Sequence, residues 1–84
     1  MKSFKDLKTT MQVGDIVCRQ KNTLEVCVVL ARKEHQNFQS KGLVQMQVLA
    51  GSPERVGIVH WYSGAVSEQN CSPISELVNF VQKS

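Results

Sequence analysis

Trp61 and Tyr62 sit side by side in the apolar run Val59-His60-Trp61-Tyr62, and they are the side chains here best suited to recognition. Neighbours in an extended chain point to opposite faces, so at most one ring can enter a core and the other faces outward. An outward aromatic ring stacks on a ligand, a base or a partner's proline. Phe38 is the only large apolar residue in the polar stretch from Arg32 to Gly42, and it is the expected companion anchor. Arg32, Lys33 and Lys41 lie at the two ends of that stretch and supply cations around it. The expected binding surface is therefore Arg32, Lys33, Phe38 and Lys41 with whichever of Trp61 and Tyr62 faces out, aromatic anchors ringed by basic contacts.

Catalysis is not expected. General acid-base chemistry needs two titratable groups held together, and nucleophilic chemistry needs a nucleophile beside an oriented base. The acids Asp6, Asp15, Glu25, Glu34, Glu54, Glu68 and Glu76 are scattered singly, and no G-x-S-x-G, Walker loop or dinucleotide fingerprint occurs. A Cys71 and His60 pair would need the fold to bring them together. Metal binding is not expected either, because Cys18, Cys27, Cys71, His35 and His60 show no C-x-x-C or H-x-x-x-H spacing. No cofactor is implied.

The elements that must position these residues are mostly strands. Ser3 can cap a short amphipathic helix carrying Phe4, Leu7 and Met11, with Asp6 in its first turn. Val13-Gly14-Asp15 is a turn feeding a first strand through Ile16-Val17-Cys18-Arg19. Leu24 to Ala31 is the most β-branched run, a central strand with Leu24, Val26, Val28 and Leu30 sharing one face. Leu43 to Ala50 alternates, with Val44, Met46 and Val48 inward and Gln45 and Gln47 toward water. After the turn cluster Gly51-Ser52-Pro53-Glu54-Arg55, the stretch Val56 to Tyr62 makes a fourth strand, bent at Gly57 and closed by Ser63-Gly64. Ala65 to Asn70 reads as a ragged fifth element. Ser72 and Pro73 then start a single helical turn to Leu77, before a last strand through Val81.

Eighty-four residues, 42% of them hydrophobic and 20% charged, describe one ordinary folded domain. Residues 1–12 read as a short N-terminal helix or arm, and residues 13–84 as the domain. The fold class expected is all-β, a small antiparallel barrel of about five strands, since curling removes exposed edges. The net charge of +3 names no partner by itself. No apolar stretch suits a signal peptide or a membrane span, and the odd number of cysteines fits reduced thiols, so a cytoplasmic location is expected.

Val13-Gly14-Asp15-Ile16-Val17, the β-branched strand after it, His60-Trp61-Tyr62-Ser63-Gly64 and Ser75-Glu76-Leu77-Val78 together resemble a recurring layout. It is similar to the Src-homology-3-like small barrels, including Tudor-like and KOW-like modules and short proteins of tailed bacteriophages and mobile gene cassettes. The resemblance runs from Val13 to Val81 and implies a five-stranded barrel with a helical turn before its last strand. It also implies that phages or mobile elements could encode such a chain. The basic loop signature of a ribosomal KOW module is absent.

Function is expected to be non-enzymatic: an adaptor or binding protein that docks another macromolecule, a protein in the first instance. The alternative is a nucleic-acid-binding barrel for single-stranded DNA or RNA. It would use the same aromatics for stacking and Arg19, Lys21, Arg32, Lys33 and Lys41 for phosphates. A homodimer through a strand edge or the Phe4-Leu7-Met11 face is a further possibility, with no membrane partner.

Overall fold

The computed structural model describes residues 3–6, 10–20, 24–34 and 42–74. These form an antiparallel sheet of β1 (Ile16–Gln20), β2 (Leu24–Lys33), β3 (Leu43–Ala50), β4 (Val59–Ser63) and β5 (Cys71–Pro73), with α1 (Gly64–Asn70) between the last two strands. The strand order is β4-β3-β2-β1-β5, so β1 to β4 run as a meander and β5 returns to lie beside β1. The sheet is open, with β4 and β5 at its edges.

Turn chemistry sets the start of β1. The Asp15 carboxylate accepts from the Gln12 N–H at 2.8 Å, and the Asp15 N–H donates to the Gln12 carbonyl. Gly14 takes a φ of +95°, a conformation that glycine adopts without steric cost. Its N–H and the Asp15 carbonyl then pair with Val29, which fixes the register Ile16 opposite Val28.

That register decides which face of β2 is buried. Cys27 and Val29 turn inward with Val17, Val44, Met46 and Val48, whereas Val26 and Val28 are half-buried and Leu24 and Leu30 exposed. The face expected to matter, Leu24-Val26-Val28-Leu30, is thus the outer one. Both faces of this strand are apolar, so period-two patterning cannot rank them, and the partner strands do. A register shift between Val29 and Ala31 leaves Leu30 bulged and extends β2 to Lys33. Arg32 and Lys33 therefore belong to a strand and not to the following loop. In β3 the inward Val44, Met46 and Val48 stand as the alternation predicts.

The N-terminal segment completes the core. Phe4 and Met11 are buried with the strand residues, and the Phe4 N–H donates to the Cys71 carbonyl at 3.2 Å. Ser3 and Asp6 exchange side-chain bonds with each other's backbone N–H in a reciprocal cap. Around Phe4 the described backbone is a turn, not a helix.

Two further expectations change. Gly64–Asn70 is helix and not a ragged strand, because Ser63 supplies the N-cap, its hydroxyl accepting from the Val66 N–H. Ser72 and Pro73, expected to open a helical turn, belong instead to the strand β5, paired with β1 through Arg19 opposite Cys71; Ile74 after them is helical, and the rest of the expected turn lies outside the described residues. The expected last strand through Val81 lies outside the described residues. The fourth strand begins at Val59, since residues from Gly51 to Gly57 form turns.

All three cysteines are buried and free. Cys18 pairs across from Val26 and so faces away from Cys27, its diagonal neighbour, which prevents a bridge between them. Cys71 is wholly inside the core. Burial pushes all three thiols up, Cys27 to about 11 and Cys71 to about 12. No helix among the described residues is long and apolar enough to cross a membrane.

Candidate functional site

The strand pairing separates Trp61 from Tyr62. Tyr62 lies opposite the buried Val44 and packs on the core, while Trp61 lies opposite Gln45 on the outer face. Lys33 stands on that same outer face, its Nζ 4.7 Å from the centre of the Trp61 ring. An ammonium over an indole is a cation–π contact that holds both side chains in place. Val59, two residues back along β4, is exposed beside them, and half-buried Val28 continues the apolar surface onto β2.

Arg32 goes elsewhere. Beyond the Leu30 bulge it faces inward, and its Nη1 donates to the Met11 carbonyl at 2.7 Å. It ties the N-terminal segment to β2, so its expected place on a solvated basic rim is corrected. Phe38 and Lys41 lie outside the described residues. Of the six expected site residues, the fold brings Lys33 and Trp61 together and sends Arg32 and Tyr62 to the other face.

That other face carries a cluster whose members were not singled out together in the sequence. Glu25 is only 3% exposed and lies directly across from Arg19. Its Oε1 accepts from the Arg55 Nε at 2.8 Å and lies 3.6 Å from the Arg19 Nη1. Its Oε2 is buried and has no partner among the described residues. The Arg19 guanidinium sits 4.6 Å over the Tyr62 ring. His60 meets Tyr62 edge-on at 5.1 Å. The bond to Glu25 raises the Arg55 pKa further, so this guanidinium stays charged throughout the working pH range.

The Arg19–Tyr62 contact joins β1 to β4, strands that two others separate in the sheet. The two long side chains reach toward each other across the inner face, and Arg55 reaches into the same cluster from the β3–β4 connection. One sequence signal for it exists: Glu25 is a lone acid in an apolar strand, where a carboxylate must be paired or expelled. Gly51 also serves the cluster, since a Cβ there would approach the Glu25 Cγ to 3.2 Å.

Among the described residues, no three His, Cys, Asp or Glu side chains gather as a metal site. No family model matches the chain, and neither curated proteins nor solved structures give a match.

Proposed function

We propose that this chain is a non-enzymatic binding module of the Src-homology-3-like kind that docks a protein partner on the outer face of its sheet. The observation that carries the reading is Trp61, held on the solvent side of β4 with Lys33 over its ring and exposed Val59 beside it. A large ring pre-ordered by a cation, next to apolar surface, is the composition of a binding hot spot. The barrel assignment is supported by the meander from β1 to β4, the helix before β5, and the Arg19–Tyr62 contact between β1 and β4. Phe38 and Lys41 are proposed to extend the surface from the β2–β3 connection.

The test compares the wild-type chain with Trp61→Ala and Lys33→Glu as immobilised baits in lysate of the source cell, alongside anisotropy with single-stranded DNA and RNA. Proteins enriched on wild type and lost on both variants support the reading. Nucleic-acid binding at micromolar level that collapses as salt rises replaces it with the phosphate-binding alternative.

A further inference from the structure

On the inner face, opposite Trp61, two guanidiniums converge on one carboxylate. Arg19, Arg55 and Glu25 together carry one net positive charge, and among the described residues no second acid is seated on them. Glu25 accepts from the Arg55 Nε at 2.8 Å and attracts Arg19 at 3.6 Å, and the Tyr62 ring lies under the Arg19 guanidinium at 4.6 Å. Arg55 remains 35% exposed at its side chain and Arg19 16%, so both guanidiniums are reached from solvent. Planar guanidiniums with fixed donors match a carboxylate, which accepts two parallel hydrogen bonds. His60, exposed and against Tyr62, borders the same spot with a further nitrogen.

We propose that Arg19 and Arg55, oriented by Glu25 and Tyr62, form a receptor for a carboxylate side chain of the partner protein. The chemistry favours a carboxylate over a nucleic-acid backbone. Tracking phosphates needs a row of cations, whereas this site offers one net charge at one spot, with Lys33 on the opposite face and Arg32 bonded to Met11. The proposal rests on a protein being the partner, but it concerns a different face from Trp61, so either can fail alone.

The test uses the full ¹⁵N-labelled chain and follows the arginine Nε–Hε signals during titration with an acetylated, amidated tetraglutamate peptide. A tetraglutamine peptide and a thymidine oligonucleotide serve as parallel arms. Saturable shifts at Arg19 and Arg55 with tetraglutamate alone are expected, with affinity at least fivefold weaker in Arg55→Lys and in Arg19→Lys, which keep the charge but lose the fork. Trp61→Ala should leave these shifts unchanged. Absence of saturable shifts, affinity equal to wild type in the lysine variants, or tighter binding of the oligonucleotide at these arginines would overturn the proposal.

Discussion

Replacing Glu25 by Gln tests whether the inner cluster is an interaction of consequence or a decorative ion pair. The side chain is 3% exposed, so its carboxylate has given up nearly all of its hydration. What compensates is one short charged hydrogen bond from Arg55 at 2.8 Å and a longer attraction to Arg19 at 3.6 Å. A charge-assisted bond contributes about 1.5–3 kcal/mol net. The longer pair adds less, and the amide of Gln still accepts from one guanidinium. Both arginines can turn partly to water, which keeps the loss below the about 3–5 kcal/mol of a fully sealed pair. The expected cost is therefore about 2 kcal/mol in unfolding free energy, measured by urea denaturation with Trp61 fluorescence as the signal. Glu34→Gln, at an exposed position, should stay within about 0.5 kcal/mol. A Glu25→Gln effect that small would mean the pair behaves as a surface ion pair and the reasoning about burial is wrong.

Other consequences follow from the register and the thiols. Val29→Ala should cost about 2 kcal/mol by emptying part of the core, while Val28→Ala on the outer face costs less than about 1; a reversed order in urea titrations contradicts the register. An unfolded chain ionises thiols near 9, but native Cys27 and Cys71 hold their protons to about 11 and about 12. Stability is thus intact below about pH 8 and falls as pH climbs past 9, by about 1.4 kcal/mol per unit for each thiol until its native value is reached. Cys71→Ala should remove one of these two contributions, and an unchanged alkaline slope in pH-dependent denaturation counts against the burial of Cys71. Gly42 has a φ of +60°, and a Cβ there would run into the Lys33 carbonyl, so Gly42→Ala should cost about 2 kcal/mol or more by thermal denaturation.

The strands were legible where one face alone is apolar or a turn announces them. Val44, Met46 and Val48 in β3 alternate with glutamines, and Gly14-Asp15 marks the start of β1 through local bonds that the residue types suggest. The orientation of β2 was not, because both its faces carry apolar residues and the answer is set by partners far along the chain. Ser63 and Ser72 both suit an N-cap; the Gly64–Asn70 helix starts from Ser63, while Ser72 pairs with Cys18 in β5. The opposite facing of Trp61 and Tyr62 follows from strand geometry alone. The Glu25 cluster depends on Arg55 folding back thirty residues along the chain, a distance that no local spacing encodes.

Docking of a protein on the Trp61 face is tested by paired capture with the wild-type chain and with Trp61→Ala, each bound protein being quantified by mass spectrometry. At least one protein should be enriched tenfold or more on wild type and absent from the variant, while the variant keeps wild-type stability. Equal recovery of every protein by both baits would contradict it.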